Sequence, residues 1–389
     1  MQFAEIVGQR RLINSLIKTV EEGRVPHAQL FAGAEGNGAF ALVLAYSQFI
    51  SCQNKQYYNT DSENELRADS CGKCPSCLKY ERLAHPDLHF VFPNTTTKNV
   101  DKNNESALFM DLFREFVEEK QGYIDINSWL EYLKAENKQG EINVRDANTI
   151  IKDLTMTSYE SPYKVMIIWC AGRLRHDAAP KLLKIIEEPY DRTLFFLISE
   201  NTDAVLSTIV SRTQLVKVLP IEKECLQDFL VQKKGMNVSE AEIRVKNSEG
   251  NLLKALNYDN QTNKDFIEMF ITWTRLAFRY DKKAMDIIPF SESLAKMGKE
   301  KQRTFLLSVS NLFRECLMCA LNVPIESEIL TGENLDFKKK FSKFLNYENV
   351  NRIFALLKQA DYHITRNANA KILFFDLTLQ IGRQLSPNK

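Results

Sequence analysis

Eight residues near the N-terminus, Gly33-Ala34-Glu35-Gly36-Asn37-Gly38-Ala39-Phe40, carry the glycine spacing of a loop that cradles phosphates. In a working loop of this kind a lysine ammonium meets the terminal phosphates and a Ser/Thr hydroxyl holds magnesium. Ala39 and Phe40 occupy those two positions and supply neither group. The glycine frame is therefore expected to persist without hydrolytic chemistry. Backbone amides at a helix N-terminus can still attract phosphate, although Phe40 makes nucleotide binding doubtful. A second requirement is a pair of carboxylates at the end of a core strand, for magnesium and for water activation. The run Val165-Met166-Ile167-Ile168 ends instead in Trp169 and Cys170.

Cys71, Cys74 and Cys77 stand two residues apart in a segment with Gly72 and Pro75, and Cys52 lies upstream at the end of the helix that follows the loop. Four thiolates satisfy a tetrahedral structural zinc site, with no open position for catalysis. His85 and His89 are nearby and read as surface or loop histidines. Cys316 and Cys319 share a C-x-x-C spacing inside a helical apolar pattern, so core packing is the expectation there. Cys170 and Cys225 stand alone. Glu187 and Glu188 are adjacent on a helix and do not converge on one substrate atom. Arg212, in Ser211-Arg212-Thr213, precedes a strand; by sequence mechanics alone it reads as an ordinary surface ion pair.

These residues need elements to position them. An apolar-periodic helix around Leu12, Leu16 and Ile17 leads to the run Gln29-Leu30-Phe31-Ala32, the glycine loop, and a helix from Ala41 to Ile50. Runs at Lys164 to Trp169, Thr193 to Ile198 and Gln214 to Val218 fit buried strands of a parallel sheet. Asp177 reads as the N-cap of a helix carrying Leu182, Leu183 and Ile186 and stopped by Pro189. Residues from about 95 to 143 turn polar, with amphipathic patches near Leu108 to Phe116 and Trp129 to Leu133, and read as a partly helical insertion outside the core. After Pro220 a helical stripe through Leu226, Phe229, Leu230, Ile243, Leu252, Leu253 and Leu256 suggests a small helical domain. Longer helical segments follow from about Thr262.

The chain has 389 residues, 44% hydrophobic and 26% charged, enough for two or three domains. Lys+Arg at 51 against Asp+Glu at 50 gives a formal charge of +1, so no global field draws it to nucleic acid or a membrane. Without a signal-like N-terminus or a spanning segment, a cytoplasmic location is expected, and eight cysteines there are expected to be reduced.

Taken together, the sequence resembles the delta-prime subunits of bacterial DNA polymerase III clamp loaders, within the AAA+ superfamily. The resemblance rests on Val7-Gly8-Gln9, Pro26-His27-Ala28 before the glycine loop, the cysteine cluster, His85-Pro86-Asp87, Leu182-Leu183-Lys184 with Glu187-Glu188-Pro189, and Ser211-Arg212-Thr213. It implies an α/β parallel-sheet AAA+ domain over 1–219, with a zinc module at about 52–77 and the insertion at about 95–143. It further implies a helical lid domain over 220–260 and an all-α collar domain over 261–389. The implied role is a non-hydrolysing subunit of a hetero-pentamer with ATPase subunits and delta, which loads the sliding clamp onto primed DNA. Arg212 is then an arginine finger offered to a neighbour's ATP, with Thr213 where the family has cysteine. Leu253 falls where ATP-using relatives carry a sensing arginine. The resemblance implies that the chain is no enzyme by itself, only part of a polymerase holoenzyme. Two rivals remain: a catalytically active ATPase subunit of the same loader, and a zinc-dependent nucleic-acid-binding protein using the modest basic group Arg67, Lys73, Lys79 and Arg82.

Overall fold

The computed structural model describes residues 1–385 except 61, 99, 101–102, 136–137, 282–283, 325–328 and 331. It divides into two units, Met1–Tyr258 and Asp259–Lys389. The first begins with α1 (Arg10–Glu21), β1 (Ala28–Ala32) and α2 (Ala39–Ser51), then a short hairpin of β2 (Gln56–Tyr57) and β3 (Ala68–Asp69), α3 (Pro75–Glu81) and β4 (Leu88–Val91). The inserted segment contributes α4 (Met110–Glu119) and α5 (Ile126–Tyr132). Then come α6 (Val144–Thr155), β5 (Lys164–Ile168), α7 (Ala179–Glu187), β6 (Thr193–Ser199), α8 (Ser207–Val210) and β7 (Gln214–Lys217).

Five strands form a parallel sheet in the order β4-β5-β6-β1-β7. Parallel neighbours require crossovers, and the helices between them cover both faces. Side chains alternate accordingly: Phe31, Val165, Ile167, Leu194 and Phe196 face the cluster that contains α1 and α2. Leu30, Met166, Ile168, Phe195 and Leu197 face the cluster of α6 and α7. Two buried faces explain why β5 and β6 read as continuous apolar runs. Helix α2 is buried along its whole length, which matches its apolar character all round.

Three expectations need correction, and one strand was missed. The run at Gln214 forms an edge strand, with only Val216 buried, because β7 pairs β1 on one side alone. The opposite edge, β4, was not foreseen, since polar His89 interrupts a four-residue run. Asp177 does not cap α7; Ala178 holds that position, and Asp177 instead pairs with Arg175 at 2.8 Å. The insertion is core rather than periphery, because Phe109, Phe113, Phe116 and Trp129 are buried within the main cluster.

The chain after β7 forms α9 (Lys223–Asp228), which runs into a π turn at Phe229–Lys233, then α10 (Val238–Ser248) and α11 (Leu252–Leu256). Leu226, Leu230, Val245, Leu252 and Ala255 join the sheet-face cluster, whereas Ile243 is exposed, contrary to its place in the expected stripe.

The second unit holds α12 (Asn260–Phe278), α13 (Ala284–Ala295), α14 (Lys299–Ala320), α15 (Leu335–Ser342), α16 (Tyr347–Thr365) and α17 (Ala370–Leu385). Its core gathers Phe270, Trp273, Phe305, Phe313, Phe341 and Phe374. Cys316 is buried there, in keeping with a packing role. A buried ion pair, Lys338 Nζ to Glu315 Oε1 at 2.9 Å, ties α15 to α14, and the same carboxylate accepts from the amides of Ile329 and Leu330. Among the described residues no helix is long and apolar enough to cross a membrane.

Candidate functional site

Strand β1 delivers the glycine loop to the N-terminus of α2. Gly38 caps that helix with φ +84°, and Gly36 has φ +79°, both in the region that disfavours side chains. The glycine frame is therefore intact in shape. What fills it differs from a nucleotide cradle. Phe40 is buried, its ring 6.1 Å from Trp169, 5.9 Å from Phe113 of α4 and 6.3 Å from Phe90 of β4. The two positions that lost hydroxyl and carboxylate thus pack on each other, through an aromatic cluster that α4 completes. Cys170, beside Trp169, is buried with φ +54°, and burial pushes its thiol well above the ordinary range.

The remaining space is a cavity of about 30 Å³, lined by the loop, Tyr123, Trp169, Ser199 and Glu200. Its lining is also acidic: burial first, then the hydrogen bond and charge of Glu200, and Asp125 beyond it, push Glu35 from 4.5 up to about 8. The Glu35 carboxylate also accepts from Ile126 N at 3.3 Å. Leu253 is partly buried on α11, and Lys254 turns away to Glu249 at 3.9 Å. Instead, the α11 N-terminus binds the loop itself: Leu252 N donates to Gly36 O at 3.1 Å, and Asn251 Nδ2 donates to Glu35 O. Sequence reasoning missed Tyr123, Glu200 and Asn251. Only Tyr123 left a trace, next to a glycine within an aromatic-rich insert.

Glu35 gives a pH dependence with a definite sign. Between pH 4.5 and about 8 the native state keeps a proton that the unfolded chain has lost, so stability falls as pH rises through that window. The expected slope from this group is about 1 kcal/mol per pH unit. Glu35→Gln should flatten the melting temperature measured from pH 5 to 8; an unchanged slope would contradict the assignment.

The cysteines come together as their types suggested. Cys52 ends α2, Cys71 follows β3, Cys74 caps α3, and Cys77 lies within α3; the four sulfurs lie within 4.8 Å of one another. Tetrahedral zinc with Zn–S of about 2.3 Å requires sulfur separations of about 3.8 Å. Cys71 and Cys77 Sγ are 4.0 Å apart. Backbone amides of Cys71, Cys74 and Cys77 donate to Cys52, Cys71 and Cys74 sulfurs at 3.3 to 3.5 Å, a pattern suited to thiolates. Burial, and then the neighbouring thiols, push Cys77 far above its ordinary range, so a cation is what would let all four ionise. The cluster can hold a metal ion.

His85 is not a surface residue: it is buried, its ring centre 4.6 Å from that of Tyr80, and it accepts from Asp87 N at 3.1 Å. Asp87 in turn accepts from the amides of Tyr159, Glu160 and Ser161. His89 lies on β4, 3.6 Å from Asp153. Neither joins the sulfurs. Of the basic group, Lys79 is engaged by Glu160, while Arg67, Lys73 and Arg82 are exposed.

Arg212 lies between α8 and β7. Its Nε donates to Glu187 at the end of α7, and Nη1 donates to Thr208 O at 3.0 Å and Ser211 Oγ at 3.2 Å. The guanidinium is thus held while its side chain stays 37% exposed, with Nη2 bonded to nothing among the described residues.

The sequence profile of the family described as DNA polymerase III, delta subunit, matches residues 8–222. The DNA polymerase III subunit delta' of Bacillus subtilis (strain 168) is 26% identical over 225 residues, 58% of this chain and 52% of that protein. The subunit delta' of Escherichia coli (strain K12) is 25% identical over 205 residues, 53% and 46% respectively. The subunit tau of the same bacterium is 22% identical over 264 residues, 67% of this chain and 32% of tau. The chain spans about half the length of the delta' relatives it matches.

Proposed function

Since the chain belongs to the DNA polymerase III delta subunit family, we propose that it is a clamp-loader subunit of the delta-prime kind that hydrolyses no ATP and serves a neighbour's ATP site. One observation carries the first half: Phe40, Trp169 and Tyr123 crowd the phosphate loop, leaving about 30 Å³ of free space beside it. No group at this loop can neutralise the charge of a triphosphate. The second half is carried by Arg212. An arginine fixed on two sides and open on the third can stabilise developing charge on a phosphoryl group presented by another subunit.

In this reading residues 1–219 and 220–260 form the AAA+ domain and lid, and residues 261–389 form a helical collar that joins partner subunits in a hetero-pentamer. The assembly acts in the cytoplasm, opening the sliding clamp and closing it on primed DNA as part of the polymerase holoenzyme. Cys52, Cys71, Cys74 and Cys77 hold structural zinc, which supplies cross-linking of α2 to α3 and no chemistry. The isolated chain with magnesium and ATP is expected to release no phosphate above background. Turnover that disappears when Gly38 is altered would favour the active-ATPase rival, with tau among the relatives.

A further inference from the structure

We propose that the segment Gly122–Ile126 of the insertion is an internal ligand of the glycine loop, occupying the place of a nucleotide and excluding one by presence rather than by weak affinity. The inference deepens the non-hydrolysing reading and rests on it. The fit is mutual. A Cβ at Gly38 would lie 2.9 Å from Tyr123 Cε1, so the tyrosine ring sits directly on the residue that caps α2. A Cβ at Gly122 would lie 3.1 Å from Ala41 Cβ, so the segment presses back onto the first turn of the same helix. Tyr123 is buried, and its Oη accepts from Val7 N at 2.9 Å, tying the N-terminal segment to the plug. Ile126 N donates to Glu35 in the loop.

The segment is also anchored from behind. Trp129 Nε1 donates to Pro93 O at 2.8 Å, fixing α5 beyond the end of β4, and Phe113 stacks on Phe92 at 3.9 Å. Phe113 then meets both Phe40 and Trp169. Loop, strand end and N-terminal segment are therefore held together by one inserted stretch, which explains why a polar-looking insertion contributes five large buried aromatics, Phe109, Phe113, Phe116, Tyr123 and Trp129. Restoring a lysine at position 39 would not reopen such a site.

Hydrogen exchange on the full chain tests this, with and without millimolar magnesium and ATP. Wild-type peptides covering residues 5–8 and 36–42 should be protected and unaffected by ATP. Tyr123→Ala should speed exchange in both regions about tenfold or more while β5 and β6 stay protected; Tyr123→Phe should affect residues 5–8 alone. Unchanged loop protection in Tyr123→Ala, or ATP-induced protection of the wild-type loop, would overturn the inference. Should the alanine variant fail to fold, the phenylalanine variant and the ATP comparison decide. ATP-induced protection without turnover would sink the plug and leave the non-hydrolysing reading standing, whereas turnover would sink that reading itself.

Discussion

Replacing Arg212 by alanine should lower turnover at the ATP site it completes by about a thousandfold, leaving folding and assembly intact. The side chain touches Glu187, Thr208 and Ser211 at a partly exposed position, so its removal from the fold costs about 1 kcal/mol or less. In the proposed role its effect on a neighbour's reaction should be far larger, because charge developing on the transferred phosphoryl group would meet the guanidinium only in the transition state. Glu187 and the two Nη1 contacts reduce the freedom lost when the arginine engages. Lysine should rescue poorly, since a point charge cannot reproduce a fixed fork. Steady-state phosphate release by the reconstituted assembly at saturating ATP reads the effect as the loss of one site's share. Unchanged release would return Arg212 to the category of surface ion pair.

Loss of the metal should have the second large effect. The cysteine cluster links the end of α2 to α3 and to the hairpin strand β3, whose Asp69 accepts from the amides of Phe3 and Ala4. Structural zinc bound by four thiolates contributes on the order of 10 kcal/mol to the fold it closes. Metal analysis should find one zinc per chain in the wild type and little in Cys77→Ser. The variant should melt at lower temperature, with residues 52–81 losing exchange protection first. A zinc-free wild type that melts like Cys77→Ser would contradict the assignment.

Chemical type was easier to read from the chain than spatial partnership. Four clustered cysteines signal a metal wherever the fourth sits, so Cys52 could be paired with Cys71 to Cys77 without knowing that α2 ends beside α3. Missing lysine, hydroxyl and carboxylates were equally plain as absences. That Phe40 and Trp169 replace them by packing on each other depends on β1 and β5 sharing a sheet, which no local pattern encodes. The insertion shows the limit best. Phe109, Phe113 and Phe116 have helical spacing, so an apolar face was legible, but the surface it covers is assembled from Phe40, Phe92 and Trp169, which lie far apart in the chain. Glu35 and Glu200 look like ordinary surface acids until the fold brings them together. The edge strand β7 was misread and β4 missed for a related reason, because each buries only part of a short run.

The account's central claim is that this chain completes an assembly whose ATP chemistry belongs to other subunits. Native mass measurement of the chain mixed with the gamma/tau-type and delta subunits from its own organism tests it most directly. The account predicts a single complex containing this chain beside its ATP-hydrolysing neighbours, formed equally by wild type and Arg212→Ala. A chain that stays at its own mass in the presence of every such subunit would contradict it.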